Sequence, residues 1–224
     1  MSKTPEISTF HIQVPRTARV ATAGTLSSKT KYIWIACHGY GEIASEFIAS
    51  MTSIVREDTF VIAPEALSRF YWGATFDGKP VASWMTREDR LNEIADYSNY
   101  LSILQADFIE KAADDVQFIL FGFSQGCATV MRWANAKHPN CSSIVMWAGI
   151  LPEDIDYPAE YYGKLKLYTR AGTLDRFITS ERIEKHKALI LEKGLKIDSD
   201  TFEGKHKVYP EPLQKLRDQI YKEI

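Results

Sequence analysis

The sequence is poor in cysteine, has no long apolar run and carries almost no net charge. Cys37, Cys127 and Cys141 are an odd number with no Cys-x-x-Cys pair. This argues against a disulfide framework and predicts buried, reduced thiols in a cytoplasmic protein. No stretch approaches the roughly 18 apolar residues of a membrane span. Met1-Ser2-Lys3-Thr4-Pro5-Glu6 leads into no apolar segment of the kind a secretory leader needs. A net charge of −2 offers no electrostatic footprint for nucleic acid or an anionic membrane. No Pro/Gly/Ser-rich linker, repeat or low-complexity segment interrupts the 224 residues. A single α/β domain over residues 1–224 is therefore expected.

What is present is a 45% hydrophobic content, enough for a sizeable core. Residues 7–14 alternate apolar and polar and predict an edge strand, with residues 19–23 as its hairpin partner across Pro15-Arg16. Residues 31–37 and 59–63 are nearly continuous apolar runs, as for strands buried on both faces, with a helix between them over about 44–55. Residues 65–85 hold Phe70, Tyr71, Trp72, Phe76 and Trp84 among Gly73, Gly78 and Pro80, and read as an excursion from the sheet. A helix with a capping-box-like start at Thr86-Arg87-Glu88-Asp89 is expected to run to about Ala112, its apolar face set by Leu91, Ile94, Leu101, Leu104 and Phe108. Further strands are expected over 143–147, 164–171 and 196–202, with helices over about 180–193 and 210–223. The alternation argues a mainly parallel central sheet with helices on both faces and an antiparallel N-terminal hairpin.

One junction stands out. The apolar run 116–121 ends in Gly122-Phe123-Ser124-Gln125-Gly126, and helix-forming residues follow at once. Strand, sharp turn and helix around Gly-x-Ser-x-Gly make a nucleophile elbow, with the serine hydroxyl raised above the sheet edge. A serine needs a base, and the base an orienting acid. Functional groups in open α/β sheets gather after the carboxyl ends of strands. Asp175 and His206 each follow a strand downstream of Ser124, and the order Ser, Asp, His fits. Asp154 and Asp156 are competing acids, and Glu203 lies too near the histidine to be a strong rival. His138 and His186 belong to helices, His11 to the first strand, and His38 to a turn that it is expected to shape. Two backbone donors must meet the oxyanion: the N–H of Gln125 and, from the turn after residues 31–37, the N–H of Tyr40. Backbone supply implies that the side chains of Gln125 and Tyr40 can vary. Phe70, Tyr71, Trp72 and Trp147, with Tyr40, are candidate pocket walls for an apolar acyl or aryl group.

Together, His38-Gly39-Tyr40-Gly41, the Ser124 elbow, Ala148-Gly149-Ile150-Leu151-Pro152, Asp175 and His206 resemble the phospholipase/carboxylesterase family of α/β-hydrolases, the acyl-protein thioesterase-like group. The resemblance covers roughly residues 30–222 and is stronger to a bacterial predicted-esterase subgroup. It implies the α/β-hydrolase fold, hydrolysis of a small-molecule ester or thioester through an acyl-enzyme, and neither metal nor organic cofactor. Lys205 stands where that family usually has glycine before the histidine. A non-catalytic ligand-binding protein on this fold, or a peptidase or lactonase with the same triad, are the alternatives. A homodimer is left open.

Overall fold

The computed structural model describes residues 7–73 and 77–224. In chain order the elements are β1 (Val20–Ala23), β2 (Tyr32–Cys37), α1 (Ala44–Met51), β3 (Thr59–Pro64), β4 (Ser68–Trp72), β5 (Lys79–Ser83), α2 (Arg90–Lys111), β6 (Gln117–Phe123), α3 (Gln125–Lys137), β7 (Ser143–Trp147), α4 (Ala159–Tyr162), β8 (Lys166–Gly172), α5 (Ser180–Glu192), β9 (Ile197–Phe202) and α6 (Pro210–Glu223). Seven strands form one sheet in the order β1-β3-β2-β6-β7-β8-β9. Every pairing is parallel except that of β1 with β3.

The near-continuous apolar runs are explained by burial on both faces. Along β2, β6 and β7, alternate side chains fall into two cores. Ile33, Ile35, Leu120, Ile144 and Met146 pack with Tyr97 and Leu101 of α2 and Val130, Met131 and Trp133 of α3. Trp34, Ala36, Phe121, Val145 and Trp147 pack with Phe47 and Met51 of α1 and Leu213, Leu216 and Ile220 of α6. Each Val, Leu, Ile, Met or Phe among them contributes about 1.5–3 kcal/mol when buried. This two-sided packing holds the carboxyl ends of β2, β6, β8 and β9 in fixed relation, and the site is built there.

The antiparallel N-terminal edge is present, but its pairing differs in detail from the sequence expectation. Val20 to Ala23 register against Pro64 to Val61 of β3. Residues 7–14 form no strand. Their alternation meets no face to bury against, and Ile7, Phe10, Ile12 and Val14 are all exposed. Helix α2 begins at Arg90, and the Asp89 side chain at its N-cap bonds no backbone N–H of the first turn, accepting instead from the Asn92 side-chain amide at 2.8 Å. Thr86 instead bonds Glu93 through both its N–H and its hydroxyl. Leu91, in the first turn, is 71% exposed and does not join the apolar face.

The excursion folds as a separate antiparallel pair, β4 with β5. It is tied to the main body where Ala82 and Glu42 form an antiparallel bridge. Phe76 lies outside the described residues.

Candidate active site

Ser124 sits between β6 and α3 with φ 52° and ψ −113°. A non-glycine residue there is strained, at a cost on the order of 1–3 kcal/mol. The turn is held on both sides: Ser124 N–H donates to Trp147 O (2.9 Å), and Ser124 O accepts from Cys127 N–H (3.1 Å). A Cβ on Gly126 would overlap the carbonyl oxygen of Cys37, so the start of α3 rests on the backbone at the end of β2. That close approach is what glycine permits here.

Ser124, Asp175 and His206 come together although they are far apart in sequence. His206 Nε2 is 2.9 Å from Ser124 Oγ, and His206 Nδ1 is 2.6 Å from Asp175 Oδ2. The Asp175 side chain is fully enclosed, while the His206 side chain is 20% exposed. Asp175 Oδ1 also accepts the Phe177 N–H at 2.8 Å, which fixes the carboxylate plane. An ionised carboxylate only accepts, so it selects the imidazole tautomer with its proton on Nδ1 and leaves the Nε2 lone pair facing the serine. The His206 ring lies between Phe123 (5.0 Å between centroids) and Phe177 (4.7 Å). Lys205, in the family's glycine position, keeps an ordinary negative φ, and its N–H donates to Tyr209 Oη at 2.9 Å. The side chain is exposed, so this loop has room for it.

The turn after β2 is organised by His38, which is completely buried. Its Nε2 accepts the Ala66 N–H (3.0 Å), which puts the ring proton on Nδ1, 2.7 Å from Gly39 O. Burial pushes the His38 pKa down, partly opposed by its bond to Gly39 and by the nearby Glu65, so the ring is neutral. In a planar trans peptide the C=O and the next N–H point opposite ways. Holding Gly39 O therefore aims Tyr40 N–H outward. By the same geometry, the bond to Ser124 O aims Gln125 N–H away from α3. Among the described residues, neither Tyr40 N–H nor Gln125 N–H has a protein partner. Glu42 Oε2 accepts Gly39 N–H at 2.7 Å. Burial raises the Glu42 pKa, and that hydrogen bond partly offsets it.

Tyr40, Phe70 and Trp72 form a surface cluster, with centroids 5.7 Å apart for Tyr40–Phe70 and 5.6 Å for Tyr40–Trp72. Tyr71 and Trp72 are each more than half exposed. Trp147 differs from the expectation of a pocket wall. It is fully buried beneath the sheet's end, packs on Phe121 and Phe202, and donates its indole N–H to Lys207 O (2.8 Å). An apolar strand residue next to the elbow resembles a pocket wall in sequence, but the side alternation of β7 turns it inward.

Sequence reading missed two groups. Glu42 follows the His-Gly-Tyr-Gly turn directly, and its position was the signal. The side chain of Gln125 is bonded to residues 83–85 of the excursion, and no local pattern announces a contact so distant in sequence. The described residues gather no group of three or more His, Cys, Asp or Glu suited to a metal ion. Among them no helix is long and apolar enough to cross a membrane.

The family model described as Phospholipase/Carboxylesterase matches residues 24–224. Among solved structures, acyl-protein thioesterase 2 of Zea mays superposes with a TM-score of 0.69 at 16% identity, covering 92% of this chain and 99% of that one. The Bacillus cereus carboxylesterase gives 0.65 at 12% identity, over 92% and 95% of the two chains. A phospholipase/carboxylesterase from Dyadobacter fermentans gives 0.64 at 15%, over 92% and 97%. At these identities the likeness is one of fold. No curated protein matches the sequence.

Proposed function

The chain belongs to the phospholipase/carboxylesterase family of hydrolases, and from that premise we propose that it cleaves carboxylic esters or thioesters of small molecules with Ser124 as nucleophile. The observation that carries this reading is the hydrogen-bonded run from Asp175 through His206 to Ser124, at 2.6 and 2.9 Å. His206 Nε2 takes the Ser124 proton as Oγ attacks the acyl carbon. The oxyanion that forms is met by the N–H groups of Gln125 and Tyr40, each worth about 3 kcal/mol in the transition state. Collapse expels the alkoxide or thiolate, which receives the proton from His206. Water then repeats the sequence on the acyl-enzyme and regenerates Ser124.

Tyr40, Phe70, Tyr71 and Trp72 offer an apolar wall for the acyl or aryl part of the substrate. Residues 1–224 work as one catalytic domain in this reading. A cytoplasmic setting in this reading is supported by Cys37, Cys127 and Cys141, which are all free thiols.

The test is labelling by a fluorophosphonate, with turnover of a short p-nitrophenyl ester measured in parallel. Wild-type protein should be labelled at Ser124, and Ser124→Ala should lose both label and turnover. Folded wild-type protein that takes no label at neutral pH would refute the assignment.

A further inference from the structure

Residues 82–85, where β5 leaves the hairpin, touch both loops that present the unpaired N–H groups. On the side of Tyr40, Gly41 N–H donates to Ala82 O (3.0 Å) and Ala82 N–H donates to Glu42 O (3.0 Å). The Trp84 indole N–H donates to His38 O at 2.9 Å, and its ring lies 5.2 Å from that of His38. On the side of Ser124, the Gln125 carboxamide closes the span. Its Oε1 accepts Trp84 N–H at 3.1 Å, while its Nε2 donates to Met85 O at 3.1 Å and to Ser83 Oγ at 3.2 Å.

We propose that residues 82–85 are a strap that sets the spacing and angle of the two oxyanion donors, with the Gln125 side chain as its latch. Gln125 is then a positioning residue through its side chain as well as a donor through its backbone. This inference rests on the serine-hydrolase reading given above.

Two attachments between the loops make this a matter of geometry. The first is the backbone contact between Gly126 and Cys37. That contact, like the β2–β6 pairing that ends at Cys37 and Gly122, lies at the strand ends and leaves the loops beyond it free to pivot. The strap supplies the second, on the far side of the donors, and removes that rotation. Donor direction matters because an oxyanion-hole bond acts only where charge develops, about 2.7–3.1 Å from the oxygen. The residue type fits the task. The latch must present an acceptor to Trp84 N–H and a donor to Met85 O at once, which an amide does. A carboxylate lacks the donor, and a thioether of the same length has no donor and only a weak acceptor. The strap is also continuous with β5, so the aromatic hairpin and the segment bonded to both donor loops share one run of peptide units.

The experiment compares Gln125→Met, Gln125→Glu and Ser124→Ala with the wild type. It uses a p-nitrophenyl ester for kcat and KM, and an alkyl boronic acid as tetrahedral analogue. Thermal melts establish that each variant is folded at the assay temperature. Gln125→Met keeps the side-chain volume, so KM is expected to stay within about twofold. Loss of a whole oxyanion donor costs about 10²–10³ in kcat, so a misaimed pair should cost roughly 10–100-fold, with boronate affinity falling in proportion. Gln125→Glu should lose a similar factor, and it carries the test if Gln125→Met does not fold. A side chain that served stability alone would lower the melting temperature and leave kcat and boronate affinity unchanged in the folded variant. That outcome, with Ser124→Ala inactive, overturns the strap while the serine mechanism stands. An active Ser124→Ala overturns the mechanism itself.

Discussion

The backbone of Gly172 rests against the backbone of Gly204, with no space for a Cβ on Gly172 beside the Gly204 carbonyl oxygen. Leu174 N–H donates to that same oxygen at 2.8 Å, and Thr173 N–H donates to Phe202 O at 2.8 Å. These contacts draw the exits of β8 and β9 together, which lets Asp175 reach His206. Gly172→Ala should therefore push the His206 loop outward. A displacement near 1 Å can cost about 10²-fold, and a drop in kcat/KM of that order is expected, with a longer Asp175–His206 separation in a crystal structure. Wild-type kinetics in this variant would show that the loop tolerates the shift.

Asp175→Asn keeps the shape of the side chain but can stabilise the wrong imidazole tautomer. The expected loss is on the order of 10⁴ in kcat, with KM little changed. Steady-state kinetics on a short ester would check it, and a loss below about tenfold would point to another acid.

Tyr40 separates backbone from side-chain roles. Tyr40→Ala keeps the N–H and should leave kcat within a few-fold, raising KM if the ring forms the substrate wall. Tyr40→Pro deletes the N–H and should lower kcat by about 10²–10³. Equal kcat values for the two variants would remove Tyr40 from the oxyanion hole.

His186 predicts an acid-sensitive stability. Burial pushes its pKa down to about 4, and its Nε2 accepts the Leu151 N–H at 3.3 Å. Glu153, Arg182 and Lys185 line the same hollow. The unfolded chain takes up this proton near pH 6.5, whereas the folded ring resists it until about pH 4. The contribution is thus complete above about pH 6.5 and is lost as pH falls towards 4. Melting temperatures should drop by several degrees across that window, because 1 kcal/mol moves a domain of this size by about 2–4 °C. His186→Gln should flatten that part of the profile.

The elbow was legible because its chemistry acts locally. A strained turn between strand and helix demands small residues at fixed offsets from Ser124, and the sequence displays them. The meeting of Asp175 and His206 with Ser124 was legible because strand exits are few. The alternation in residues 7–14 misled because a pattern states which side chains could share a face, not whether a face exists to receive them. Trp147 misled for a related reason: nearness to the elbow in the sheet does not say which side of β7 a side chain takes. The latch at Gln125 was hidden by the motif itself. In a Gly-x-Ser-x-Gly elbow the residue after the serine is valued for its N–H, so its side chain drew no attention. Its partners at 83–85 lie in the least regular part of the sequence.

The backbone of Ser124 makes a stability prediction as well. Relief of about 1–3 kcal/mol of strain, less the greater unfolded-state entropy of glycine, leaves a net gain of about 1 kcal/mol for Ser124→Gly. Thermal melts should show a higher midpoint for this inactive variant.

The fold, then, does not need its serine. At φ 52° and ψ −113° the most comfortable occupant of position 124 is a residue that can do no hydrolysis. In the mechanism proposed above, it is the reaction and not the backbone that calls for a hydroxyl at that turn.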